Sequence, residues 1–134
     1  MTKAEILALQ PGRELDALVA EKVMGWPPIG EGEPYRLHQR RGGVIANGIP
    51  QRFNSGVIPL TWQPSTDIAA AWQVVEAMRP EYGFWIDGDD GYIVEFQHGM
   101  PRMTDYRHGR AFASTAPEAI CKAALLAKLE SGEV

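Results

Sequence analysis

The chain has 134 residues, 45% of them hydrophobic, which suits one domain with a real core. Its net charge of −4 and pI of about 5.3 exclude the basic balance of general DNA or RNA binding. The single cysteine, Cys121, excludes an internal disulfide framework.

The first residues lack the apolar run of a signal peptide, and no stretch approaches a membrane span. A reducing cytoplasm is therefore the expected home. Residues 2–9 read as a short helix in which Thr2 and Glu5 have capping-box spacing. Pro11-Gly12 breaks it. A second helix is expected over about 13–24, with Leu15, Leu18, Val19 and Val23 on one face and Gly25 as its stop. Residues 27–64 form an irregular Arg- and Gly-rich insertion between the first and second main helices. It opens on a Pro/Gly-rich exit and then alternates short apolar pieces with Gly, Asn and Pro, as short strands or an ordered loop do.

Ser65 or Thr66 can cap the next helix, with Asp67 in its first turn against the positive end of the dipole. Ile68, Trp72 and Val75 are expected to face inward, and Pro80 ends the helix. The runs "YGFWID" and "GYIVEF" flank Gly88-Asp89-Asp90 and predict a β-hairpin. A third strand is expected near Ala111. Thr115 caps the last helix, Glu118 completes a capping box, and the helix runs through "AICKAALLAKLE". This order predicts an α+β fold, an antiparallel sheet layered between helices like an α/β/α sandwich, in a single domain over 1–134. The periodicity predicts burial of Leu15, Leu18, Val23, Trp72, Val75, Ile86, Val94, Ile120 and Leu125.

Charge is distributed unevenly. From Pro34 to Thr66 there is no Asp or Glu, and Arg36, Arg40, Arg41 and Arg52 give the interval +4. The other residues must therefore sum to −8 to reach the net −4. A second cluster holds Arg102, Arg107 and Arg110. All four lysines fall in the expected terminal helices, where lysine is a solvated surface charge. Arginine instead offers a planar fork that matches phosphate or carboxylate and stacks on rings. Trp26, Tyr35, Phe53, Trp62 and Tyr106 stand near the arginines and can stack a base. His38 lies within the first cluster, His108 within the second. Thr66 sits at a helix start, where free N–H groups attract anions. The alternative is that these arginines pair with the chain's own carboxylates or with those of a second subunit.

No nucleophile–base set, zinc spacing or phosphate loop is present, so no catalytic residue, metal or cofactor is expected. "IDGDDGY" reads as a tight turn rather than a calcium loop. Cys121, in an Ala- and Leu-rich helix, reads as a core residue.

Three segments, "PGRELDALVAEKVMGW", "STDIAAAWQVVEAM" and "STAPEAICKAALLAKLE", resemble the phage ABA sandwich domain family. The resemblance covers both ends and the middle helix but not residues 27–64. It implies a phage or prophage origin, hence a host-cell cytoplasm, and a sheet between helix layers. It brings no established reaction. The expected function is non-enzymatic binding and sequestration of a small anionic ligand, a nucleotide or cyclic nucleotide. An immune-signal sponge enters only by analogy with phage proteins that sequester the nucleotide signals of bacterial immunity. The competing expectations are a protein-interaction or homo-oligomer module that docks through the basic insertion, and a phosphate-handling enzyme using His38 or His108.

Overall fold

The computed structural model describes residues 1–25, 45–46, 49–50, 52–53, 56–57 and 63–130, with only the backbone described at Arg13 and in the four two-residue pieces. Helix α1 (Lys3–Ala8) has the expected capping box: the Glu5 amide donates to Thr2 Oγ1, and the Thr2 amide to the Glu5 carboxylate. Helix α2 (Arg13–Leu18) continues as a π-helical turn (Val19–Val23), in which the Met24 amide donates to the Val19 carbonyl at 3.0 Å. Gly25 follows at φ +73, a left-handed value that ends the helix. Two small antiparallel ladders pair β1 (Ile45–Ala46) with β2 (Ile49–Pro50) and β3 (Arg52–Phe53) with β4 (Gly56–Val57).

Helix α3 (Ile68–Met78) is capped by Asp67, whose Oδ1 accepts from the Ala69 amide at 3.1 Å. Ser65 and Thr66 do not cap it. Ser65 is fully buried elsewhere: its Oγ accepts from the Gly12 amide at 2.9 Å, and its own amide donates to Asp16 Oδ1 at 2.7 Å. Ser65 therefore ties the loop before α3 to the start of α2.

Strands β5 (Gly83–Asp89), β6 (Gly91–His98) and β7 (Arg107–Ala113) form one antiparallel sheet in that order. The β5–β6 turn is tighter than expected. Asp89 pairs with Gly91 and leaves Asp90 at the tip. Gly91 has φ +108, and a Cβ there would lie 2.6 Å from Phe112 Cζ. Asp87, Asp89 and Asp90 are all exposed. Helix α4 (Ala116–Glu130) follows, with the Glu118 amide donating to Thr115 Oγ1 at 3.4 Å.

Helix α4 is buried on all sides from Ala119 to Ala127. One side lies on β6 and β7, and the rest meets α1, α2, the π turn and α3. The sheet residues Val94, Phe96, Gly109, Ala111 and Ala113 alternate inward toward it, as strand periodicity requires. Gly109 makes the approach close: a Cβ there would overlap the Ala123 carbonyl and the Ala127 amide. Among the described residues, the helices lie on this one face of the sheet.

The α+β architecture and most of the expected core are present: Leu15, Val75, Val94, Ile120 and Leu125 are at most 1% exposed. Val23 is buried, and Leu18 is partly buried against the core. Three further expectations fail. Trp72 and Ile68 are exposed, because α3 buries the stripe Ala70, Ala71, Val74, Val75 and Met78 instead. Ile86 points to the helix-covered face but lies on β5, whereas α4 packs mainly on β6 and β7. Lys122 is not a surface lysine. It is 5% exposed, and its Nζ donates to the Leu7 carbonyl (3.1 Å) and to Glu118 Oε2 (2.6 Å). That bond satisfies a carbonyl at the end of α1 that the helix itself leaves free.

Gly109→Ala should therefore cost about 3 kcal/mol or prevent folding, because two backbones would have to part. Met103→Ala, at an exposed turn, should stay within about 0.5 kcal/mol in the same urea titration. Burial raises the Asp16 carboxyl above its usual 3.8, with the Ser65 hydrogen bonds opposing the shift. The native state thus holds this proton more tightly than the unfolded chain does, and stability falls as pH rises from about 3.8 through the raised value. In thermal melts across that window, Asp16→Asn should gain on the wild type as pH rises. A gap that stays constant would contradict the assignment.

Candidate functional site

The turn linking β6 to β7 is held by two backbone bonds, Met103 amide to Met100 carbonyl (2.9 Å) and Tyr106 amide to Met103 carbonyl (3.2 Å). It borders an open cleft of about 390 Å³ lined by His98, Thr104, Asp105, Tyr106, Arg107 and Glu130. His98 braces the cleft. Its Nδ1 lies 2.7 Å from the Glu81 carbonyl oxygen and its Nε2 3.3 Å from Asp105 Oδ2. Both partners are acceptors, so the ring can serve both only by donating from both nitrogens.

Beneath it lies Tyr82, 3% exposed. The Arg107 guanidinium sits 5.4 Å from the centre of the Tyr82 ring, and Lys128 Nζ lies 5.8 Å from it. Arg107 also meets Glu81 at 3.6 Å. Two polar atoms here are buried without a described partner, Tyr82 Oη and Arg107 Nε. The oxygen of a water or of a ligand would satisfy both.

The opposite face of the sheet carries a second group. His108 Nε2 lies 3.2 Å from Glu95 Oε2, and the Tyr106 ring stacks on His108 with centroids 6.0 Å apart and planes at 11°. The register sets Trp85, Glu95 and Arg110 in one row across the strands, and Asp87, Ile93 and Phe112 in the next. Trp85, Arg110 and Phe112 are exposed.

The structure therefore divides the second arginine cluster. Arg107 and Arg110 are three residues apart on one strand, so they point to opposite faces. Arg107 serves an internal ion pair and a ring stack, Arg110 is exposed on the open face, and Arg102 is exposed in the turn. Tyr106 packs on His108 and borders the cleft. Thr66 is exposed, its hydroxyl donating to the Gln63 carbonyl at 3.4 Å. Trp26, Tyr35, Arg36, His38, Arg40, Arg41 and Trp62 lie outside the described residues, as do the side chains of Arg52 and Phe53.

Sequence reasoning missed Glu81, Tyr82, Asp105, Lys128 and Glu130, and placed His98 in no site. The signal for His98 is its cross-strand pairing with Arg107, visible only once the register is known. Among the described residues, no three His, Cys, Asp or Glu side chains gather to hold a metal. No helix among them is long and apolar enough to cross a membrane. Cys121 is fully buried, and burial, with Asp16 and Glu118 adding to it, pushes its thiol well above the usual value.

The two β7 arginines should separate in a stability measurement. Arg107→Ala should lose about 1–2 kcal/mol through its ring stack and packed stem. Arg110→Ala should stay within about 0.5 kcal/mol. Equal losses in thermal unfolding would contradict the division.

Compared with known proteins, the chain matches the family model of the Phage ABA sandwich domain over residues 17–125. No curated protein and no solved structure matches it.

Proposed function

This chain belongs to the phage ABA sandwich domain family, and from that premise we propose that it is a binding protein that sequesters a small anionic ligand, a nucleotide or cyclic nucleotide. One observation carries the reading: 33 consecutive residues, 34–66, hold four arginines and no carboxylate in a chain of net charge −4. Like charges concentrated this way repel one another, and a bound anion offsets that repulsion. Arginine gives bidentate phosphate recognition, and the neighbouring glycines let backbone amides approach. Arg40, Arg41 and Arg52 hold the phosphate in this reading, with Phe53 or Trp62 stacking the base. Arg110 is the β7 arginine that fits the role, because Arg107 already serves Glu81 and Tyr82. The sponge role rests on analogy with other phage proteins.

A second reading, a protein-interaction module, is favoured by the sheet face that carries the exposed Trp85, Arg110 and Phe112. Tyrosine, tryptophan and arginine are the usual anchors of protein interfaces.

Calorimetry with a panel of mono-, di- and cyclic nucleotides tests the first reading. The wild type should bind at least one of them. Arg40→Ala/Arg41→Ala should abolish that binding, at about 1.5–3 kcal/mol for each charge-assisted bond lost, and leave the apo melting temperature unchanged. A variant that melts early without any ligand would instead assign these arginines to internal ion pairs.

A further inference from the structure

Four large apolar side chains that remain exposed gather along one edge of the sheet: Ile68 (54%), Trp72 (45%), Trp85 (49%) and Ile86 (40%). Trp72 meets Phe84 of β5 edge-on, with centroids 5.8 Å apart. Ile68 lies one turn before Trp72 on the same face of α3. Ile86 follows Phe84 by two residues and shares its side of the strand, whereas Trp85 points to the other side. Among the described residues β5 is an edge strand of the sheet, with exposed apolar groups above and below it. Its seven residues, GFWIDGD, include no Lys, Arg or Pro, which often protect an open edge from pairing, and its only charges are Asp87 and Asp89.

We propose that β5 pairs antiparallel with β5 of a second copy about a two-fold axis through Ile86, so that two three-stranded sheets become one of six strands. The axis stands perpendicular to the sheet, so residues keep their faces and directly opposed positions must share parity. Centring on Ile86 is the register that pairs the whole strand. It sets Ile86 against Ile86, Trp85 against Asp87, Phe84 against Gly88 and Gly83 against Asp89. No carboxylate opposes a carboxylate, and each Phe covers a glycine. The two Trp85 rings become diagonal neighbours, within reach of one another.

A second folded copy fits this edge better than an extended peptide. A peptide would satisfy the free backbone groups but leave Ile68 and Trp72 uncovered. A second copy brings its own α3 to the same side of the joined sheet, where the two apolar rows meet beside the Ile86 pair. The outer row of α3 also carries one charge of each sign, Glu76 and Arg79, 3.6 Å apart. The proposal is independent of any ligand.

Sedimentation over a range of concentrations should show the wild type reaching twice 14.8 kDa. Ile86→Lys sets two like charges face to face and should weaken association more than about tenfold. Its melting temperature should match that of the wild-type monomer, since the site is exposed. Register is tested by oxidation, because Cys121 is buried and leaves the engineered thiol as the reactive one. Ile86→Cys should form a disulfide-linked dimer, since opposed residues in such a ladder lie within bridging distance. Asp89→Cys should not link to itself, being far from its own copy in this register. Wild type that stays at 14.8 kDa at every concentration overturns the proposal. A dimer indifferent to Ile86→Lys, or equal crosslinking of the two cysteine variants, also overturns it.

Discussion

The close seating of α4 on β7 is the contact on which the remaining structure depends. With no side chain at Gly109, the Ala123 and Ala127 backbone comes down onto the strand. The small residues Ala119, Ala123 and Ala127 repeat every four positions, so one side of the helix stays flat enough for that approach. With the sheet fixed on that side, the remaining surface of α4 receives α1, α2, the π turn and α3. A helix packed on all sides must also settle any charge it carries. Lys122 does so by pairing with Glu118 and donating to the Leu7 carbonyl at the end of α1. Breaking one partner of such a pair costs more than the pair itself contributes, because the other charge is left buried.

The same seating sets what the surface can do. Because α4 packs mainly on β6 and β7, Ile86 of β5, on the same face, stays in contact with solvent. Because β7 alternates, its two arginines are assigned opposite tasks. Arg107 is drawn into the ring stack over Tyr82, beside His98 and Asp105, and helps hold the end of the sheet. Arg110 stays exposed on the other face, across from Glu95. Two arginines that look alike in sequence thus differ in surroundings because of strand parity.

Much of the fold was legible in the sequence. The capping box at Thr2 and Glu5, the stop at Gly25, the hairpin around Asp89 and the last helix from Thr115 each follow from local chemistry that tertiary context did not override. The misses have a common cause. Ser65 looked like a cap, but a partner 53 residues away, Gly12, claimed its hydroxyl. Trp72 and Ile86 looked like core by periodicity, yet periodicity names a face and cannot say how far a neighbouring helix extends over it. Lys122 looked solvated because a buried ion pair leaves no mark on composition. The candidate site was the least legible part, since His98, Tyr82 and Arg107 are joined only by strand register. The charge asymmetry of residues 34–66, by contrast, is a property of sequence alone and required no structure.

That asymmetry is central to the functional account, and one measurement addresses it without presupposing the ligand. Protein purified from cells is heated, the precipitate removed, and the released small molecules identified by mass spectrometry. The account predicts a phosphate-bearing compound released in near-stoichiometric amount from the wild type and lost from Arg40→Ala/Arg41→Ala. Release of nothing anionic from the wild type, together with no binding across the nucleotide panel, would contradict it and leave the protein-interaction reading in its place.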